Sequence, residues 1–167
     1  MGKIFVISDT HFGHTNILKF EHDNKPLRPF SSLEEMHSII IERWNSVVMP
    51  GDKVYHLGDV AFRKESMYIL HGLNGKKRLI RGNHDLFKTS FYLDFFKEVY
   101  GVRQINGAWL THVPMHQGAV NQDRVKVNIH GHIHANIIDH PKYFNVSVEN
   151  IDYTPVALED ILQRIKK

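Results

Sequence analysis

Short apolar runs that each stop at Asp, Asn or His, often beside glycine, are the feature that most limits the folds open to this chain. Lys3 to Ser8 ends at Asp9, Lys53 to Leu57 at Gly58-Asp59, and Arg78 to Arg81 at Gly82-Asn83-His84-Asp85. Runs of this kind are how buried strands read, and a polar residue closing each one sits at the carboxyl rim of a sheet. Helical patterns lie between them. Ser32 and Glu35 form a capping-box signature, and Leu33, Met36, Ile40, Trp44 and Val47 recur at helical spacing until Pro50-Gly51-Asp52. Lys64 to His71 suits a further helix with Gly72 near its C-cap, and Leu86 to Phe96 is partly helical. Alternating strand and helix predicts a layered α/β domain whose strand ends converge on one crevice.

The second half changes rhythm. Val99 to Ile105, Ala108 to Thr111, Val125 to Ile129 and Tyr143 to Val148 read as strands, and Asn106-Gly107 is a hairpin turn that implies antiparallel pairing. From Thr154 onward a C-terminal helix is expected, with Pro155 at its first position and Leu158, Ile161, Leu162 and Ile165 on one stripe. Lys19 to Phe30, which holds Pro26 and Pro29 and no clear period, reads as a long surface loop that borders the crevice. The 167 residues, 42% hydrophobic and 23% charged, then make one compact domain over 1–167, because a second would leave too little chain for a core.

Absence of cysteine removes disulfides, zinc-finger scaffolds and thiol nucleophiles, leaving His, Asp, Glu and Asn as metal ligands. The apolar N-terminal run is too short for a signal segment or a membrane span, so a soluble, cytoplasmic protein with no membrane partner is expected. The net charge of +3 tolerates phosphate-bearing ligands. The basic clusters Lys76-Lys77-Arg78 and Lys166-Lys167 read as solvated strand and helix ends rather than a nucleic-acid track.

Thirteen histidines are unevenly placed. Collected from the strand ends, Asp9, His11, Asp59, Asn83, His84, His112, His132 and His134 have the chemistry of a metal site, and residues two apart, as in Asp9-Thr10-His11 and His132-Ile133-His134, can face one ion pair. Glycine beside Asp59, Asn83 and His132 permits tight turns and close backbone approach.

In these blocks the sequence resembles the calcineurin-like metallophosphoesterase superfamily, with its ordered pattern Asp-x-His, Gly-Asp, Gly-Asn-His-Asp/Glu, His and Gly-His-x-His, and specifically a compact, single-domain bacterial or phage-type member. Every block is present between Asp9 and His134. The resemblance implies a four-layer α/β/β/α sandwich with two mixed β-sheets, the metallophosphoesterase fold. It implies that Asp9, His11 and His134 hold one metal, that Asn83, His112 and His132 hold the other, and that Asp59 bridges them. His84 becomes the general acid, with Asp85 holding its other ring nitrogen. The cofactors implied are two divalent metal ions, Mn²⁺ being often used in the family, with Fe, Zn²⁺, Co²⁺ or Ni²⁺ suited by the same ligands.

Two cations about 3.5–4 Å apart neutralise phosphate oxygens and lower the pKa of a shared water, which as a bridging hydroxide attacks phosphorus in line while an acid protonates the leaving alkoxide. The expected activity is therefore hydrolysis of a small phosphomonoester or phosphodiester, including nucleotides and cyclic nucleotides. A nuclease or nucleic-acid end-processing enzyme would use the same metals but wants a contiguous basic track. A noncatalytic protein-binding scaffold would be expected to have lost ligands that are intact here. Arg63 and Arg81 are candidate phosphate clamps, Arg28 a weaker one, with ion-paired or supporting roles preferred for each. His14 and Asn16 are assigned to loop order, His116 to the surface, and His130 to a direction away from the site. His22, His37, His56, His71 and His140 are assigned to surface or packing, and Phe91 to Phe96 to core rather than base stacking.

Overall fold

The computed structural model describes residues 2–165, so Lys166-Lys167 lies outside the described residues. Its strands are β1 (Ile4–Ile7), β2 (Glu21–His22), β3 (Lys25–Pro26), β4 (Lys53–His56), β5 (Lys76–Ile80), β6 (Val99–Tyr100), β7 (Arg103–Ile105), β8 (Ala108–Leu110), β9 (Val127–His130), β10 (Tyr143–Asn145) and β11 (Val156–Ala157). Its α-helices are α1 (Leu33–Val47), α2 (Thr89–Tyr92), α3 (Gln117–Val120) and α4 (Leu158–Arg164). The fold is mixed α/β. One sheet has the order β11-β1-β4-β5-β6 and a second the order β10-β9-β8-β7.

Side-chain alternation sorts the first sheet's two faces. Val6, Tyr55, Leu57 and Ile80 turn toward Ala108, Leu110, Val127 and Ile129 of the second sheet and make one core with them. Phe5, Ile7, Val54 and Leu79 turn the other way, onto Met36, Ile40 and Trp44 of α1 and onto Met67 and Leu70. The α1 stripe is thus the buried face expected from its spacing, and Ser32 caps it by accepting from Glu35 N–H at 3.1 Å. Glu35 reaches back one residue further than the capping box predicts, accepting from Ser31 N–H at 2.7 Å.

Pairing positions the site. β1, β4 and β5 run parallel, with Ile7 beside His56 and His56 beside Leu79, so Asp9, Asp59 and Asn83 leave the sheet at one edge. β8 and β9 are also parallel, and His112, His132 and His134 follow their carboxyl ends.

Several elements depart from the sequence reading. Val99 to Ile105 is two strands: β6 completes the first sheet beside β5, the chain breaks at Gly101-Val102, and β7 joins the second sheet in an antiparallel pair with β8. The Asn106-Gly107 turn holds that hairpin with both residues at positive φ. The 19–30 segment contains the β2–β3 hairpin, turned by Asp23 and Asn24 at φ 51° and 59°. Glu65–Gly72 is a 3₁₀ rather than an α-helix. Pro155 precedes β11, so it is not the first residue of α4, although Leu158 and Ile161 are buried as predicted. Lys76-Lys77-Arg78 is absorbed into β5, where Lys77 Nζ donates to Leu73 O and Arg78 pairs with Glu98. Among the described residues no helix is long and apolar enough to cross a membrane.

Candidate metal centre

Three loops meet at the carboxyl edge of the first sheet, and glycine lets them touch. A Cβ on Gly82 would lie 2.3 Å from Asp59 Oδ1, and one on Gly131 would lie 2.2 Å from Asp9 Oδ2. Backbone bonds lace the loops: Asp9 N–H donates to Gly58 O at 3.0 Å, His11 N–H to Asp59 O at 3.0 Å, and Gly131 N–H to His112 O at 2.9 Å. Asp9, His11, Asp59, His132 and His134 all take positive φ, between 48° and 70°. Non-glycine residues seldom do so, and clusters of them mark sites where the surrounding structure imposes the conformation.

Two groups of donors result. Asp9, His11 and His134 offer atoms within 4.8 Å of one another, and so do Asp59, His112 and His132. Asp59 Oδ2 lies between them, 3.6 Å from His11 Nε2 and 3.4 Å from His112 Nε2. Asn83 Oδ1 lies 2.8 Å from both His112 Nε2 and His132 Nδ1, adding a fourth donor to the second group. All seven residues that the resemblance assigns to metal therefore come together.

The unpaired atoms test whether a cation fits. Asp9 is fully buried, and its Oδ2 accepts from Ser147 Oγ at 2.9 Å and His132 N–H at 3.0 Å, while Oδ1 has no hydrogen-bond partner among the described residues. Both ring nitrogens of buried His11 are unpaired as well. Its Nε2 is 3.8 Å from Asp9 Oδ1, too long for a hydrogen bond but the spacing of two ligands each about 2.1 Å from one ion. In the second group His112 Nδ1 is 2.7 Å from Leu57 O, an acceptor that holds the proton on Nδ1, so in the neutral ring, the form that binds metal, the Nε2 lone pair faces Asn83 Oδ1. Lone pairs facing each other at that distance are what an intervening cation reconciles. The donor set of carboxylate, amide oxygen and imidazole suits a borderline or hard divalent metal.

Charge follows the same geometry. Burial alone would raise the Asp9 carboxyl, but contact with His11 and the nearby His112 and His134 outweigh it and hold Asp9 well below the usual carboxylate range. Asp59 is likewise lowered, burial being overcome chiefly by His112. His11 and His132 are lowered by burial, which favours the neutral, metal-binding imidazole. His112 and His134 are raised despite burial, by Asp59 and by Glu149 respectively.

Sequence reasoning missed the brace behind the first group. Glu149 Oε1 lies 3.1 Å from His134 Nδ1 and accepts from Arg28 Nε at 2.8 Å. Arg28 is completely buried and also donates to Asp9 O at 2.5 Å and Thr10 O at 3.0 Å. It is therefore a strut that carries the hairpin segment into the Asp9 loop and not a phosphate clamp. A lone Glu in a 3₁₀ turn, 121 residues from Arg28, has no local signal that would have exposed it.

Asp85 also differs from expectation. It is buried, and its carboxylate accepts from Asp59 N–H at 2.9 Å, Gly82 N–H at 2.8 Å and Val60 N–H at 3.1 Å. With three backbone donors on its two oxygens, it makes no hydrogen bond to the His84 ring and instead fixes the Gly58–Val60 turn. His84 is exposed at the mouth, its N–H donating to Asp59 Oδ1 at 2.9 Å and its ring centroid 5.8 Å from that of His11. Arg81 is not free to grip phosphate either, since it donates to Asp85 O and Phe87 O at 2.6 Å each. Arg63 and Asn16 are exposed. His116 caps α3 by accepting from Gly118 N–H at 3.1 Å. His130 is buried against Tyr143, its Nδ1 2.9 Å from Gly131 O. His56 is buried too, in hydrogen bonds to Thr10 and Gly58.

Across its full length the chain is 42% identical, over 180 aligned positions, to the uncharacterized protein MJ1445 of Methanocaldococcus jannaschii, covering 93% of that relative. The chain belongs to the MJ1445 family. No protein-family model matches it. In structure this family member resembles AQ665 of Aquifex aeolicus, a protein of unknown function, with a TM-score of 0.72, 28% identity and coverage of 98% and 99% of the two chains. It shares its fold with an archaeal phosphodiesterase at a TM-score of 0.52 and 20% identity, over 87% of this chain and 83% of the other.

Proposed function

We propose that this chain is a metal-dependent phosphohydrolase whose dinuclear centre cleaves a small phosphodiester or phosphomonoester, nucleotides included. The observation that carries the reading is the placement of Asp59 Oδ2 between two donor groups, the first of which holds buried Asp9 Oδ1 and His11 ring nitrogens that have no hydrogen-bond partner among the described residues. Asp9, His11 and His134 would hold one divalent cation, Asn83, His112 and His132 the other, with Asp59 shared, and Mn²⁺ is the ion to try first. The fold shared with an archaeal phosphodiesterase supports the reaction class. We read residues 1–167 as a single metallophosphoesterase domain. Its two facing sheets, with α1 outside the first and the α3 loop outside the second, would form the α/β/β/α sandwich.

Bound cations supply the charge that neutralises phosphate oxygens and activates water. The remaining work falls to this chain's side chains. Asp9 and Asp59 stay anionic in a buried setting and fix the spacing of the two groups. His84, exposed at the mouth and held by its backbone to Asp59, is placed to protonate the departing alkoxide oxygen. Its ring is oriented by neighbouring rings and not by Asp85.

The test is hydrolysis of bis-p-nitrophenyl phosphate and p-nitrophenyl phosphate by metal-stripped protein resupplied with Mn²⁺, beside Asp59→Ala and His84→Ala. Turnover that needs metal and Asp59 is expected, with His84→Ala losing about 10²–10⁴-fold on esters with poor leaving groups and much less on aryl esters. Failure to bind two metal equivalents, or turnover indifferent to Asp59, would overturn the proposal.

A further inference from the structure

The metal ligands border an aromatic strip that coordination does not require. His14 stacks on Phe62 with centroids 3.9 Å apart and planes 10° apart; Phe20 stands edge-on to His14 at 5.8 Å, and His84 lies 5.4 Å from Phe62. The strip passes His11, whose ring is 5.4 Å from His14 and 6.1 Å from Phe62. Its two phenylalanines are 46% and 44% exposed, unlike the buried Tyr92 and Phe96 of the other aromatic run. Large apolar rings left in water beside a polar centre mark a surface that a ligand covers.

A cleft of about 360 Å³ opens from the Phe20 end. Its walls are the β2–β3 hairpin, through Phe20 and Leu27, and the loop after β9, through Ile133 and Ala135, and its floor reaches His132 and His134. The size falls in the range of small-ligand sites, with mostly apolar walls and polar groups at the rim. His22 Nε2 lies 3.3 Å from Asn136 Oδ1, so a polar contact spans the cleft from hairpin to loop and sets its width. Among the described residues neither Lys nor Arg lines it and Glu21 does, which disfavours a second phosphate there.

Resting on the phosphohydrolase reading for the position of the phosphate, we infer that Phe20, Phe62 and this cleft form a subsite for a flat, uncharged aromatic or heteroaromatic ring carried by the organic side of the ester. The ring stacks on the exposed face of Phe20, with the His14–Phe62 stack continuing the apolar strip toward the metal ligands where the phosphate lies, and the subsite selects ring-bearing esters over equally charged esters without a ring.

Calorimetric binding of adenosine 5′-monophosphate and ribose 5-phosphate, which share sugar and phosphate and differ in the ring, tests this on metal-stripped and Mn²⁺-loaded protein. Wild type should favour the nucleotide by about 5- to 150-fold, the worth of one base–aromatic stack. Phe20→Ala should bring the ratio toward one without weakening ribose 5-phosphate, and Phe20→Trp should keep it at the wild-type level. A wild-type ratio near one, or a ratio unchanged in Phe20→Ala, overturns the subsite even if p-nitrophenyl esters are hydrolysed. A Phe20-dependent ratio in a protein that hydrolyses neither ester sustains the subsite and sinks the catalytic reading instead.

Discussion

Glu149→Gln removes one charge and almost no volume from behind the first donor group, and its consequences separate along the two partners of Oε1. Toward Arg28 the loss is of a buried ion pair, for which breaking one partner costs about 3–5 kcal/mol. The Gln oxygen still accepts from Nε, and the guanidinium keeps the carbonyls of Asp9 and Thr10, so the low end, about 3 kcal/mol, is expected. Toward His134 the loss is of the carboxylate that raises the basicity of the ring and fixes Nδ1 at 3.1 Å. Supporting contacts of this type are worth about 10- to 100-fold in metal affinity. Urea unfolding of the metal-free protein reads the first effect, and calorimetric titration with Mn²⁺ the second. One of two binding steps should weaken by that factor, while the step assigned to Asn83, His112 and His132 stays within about twofold, because none of those side chains touches Glu149. Equal weakening of both steps, or of neither, would refute the brace.

Asp85→Asn can keep one oxygen on the Asp59 and Gly82 N–H groups only by turning its NH₂ against Val60 N–H, so stability should fall by about 1–3 kcal/mol by urea unfolding. Its turnover should drop by the same factor on esters with good and poor leaving groups; loss confined to poor ones would reinstate Asp85 as the partner of His84. Gly82→Ala drives a methyl into Asp59, so both metals should be lost together at a stability cost of about 1–3 kcal/mol, and elemental analysis showing two retained equivalents would contradict the packing. His56 is buried with both nitrogens used, Nδ1 accepting from Gly58 N–H and Nε2 donating to Thr10 Oγ1, and burial lowers its pKa to about 3. Because the unfolded chain then binds the extra proton below pH 6.5, this group's stabilisation is full above pH 6.5 and is lost as pH falls toward 3, by about 1.4 kcal/mol per unit. His56→Gln should flatten the acid limb of stability against pH by that slope, and an unaltered limb would show that His56 does not set it.

The fold and site were legible wherever the signal was local. A buried parallel strand needs an unbroken apolar run, and a site at its end needs a polar residue next to a glycine, so β1, β4 and β5 and the residues after them could be read from short stretches of sequence. α1 was legible because its apolar spacing and its cap are both encoded within 15 residues. Boundaries decided by pairing were not. Val99 and Arg103 belong to different sheets because β5 and β8 lie on opposite sides of Gly101, a fact about partners far along the chain. Pro155 sits just before β11, outside the ladder that Val156 and Ala157 make with β1, and that edge pairing with a strand near the other end of the chain has no local signal in the sequence. Arg28 and Glu149 failed for the same reason. Each is an ordinary charged residue until the other arrives, and burial of the pair arises from the hairpin folding over the Asp9 loop.

Positive φ at five of the proposed ligand residues would join folding to metal binding. Each such residue costs of the order of 1–3 kcal/mol, and here the backbone bonds between loops, the Arg28 and Asp85 struts and the apposed glycines hold the strained turns in place. The reward is directional: an αL turn after a strand points the side chain back across the sheet edge, so Asp9, Asp59 and His132 converge although their strands lie in two sheets. Relaxing any one turn to φ below zero would swing its donor away from the shared position between the groups. The same cost explains why the unpaired atoms are tolerated. Asp9 Oδ1 and the His11 nitrogens are kept buried and without partners by loops whose conformation is already fixed, so a cation entering between them gains their full interaction without first having to order the chain.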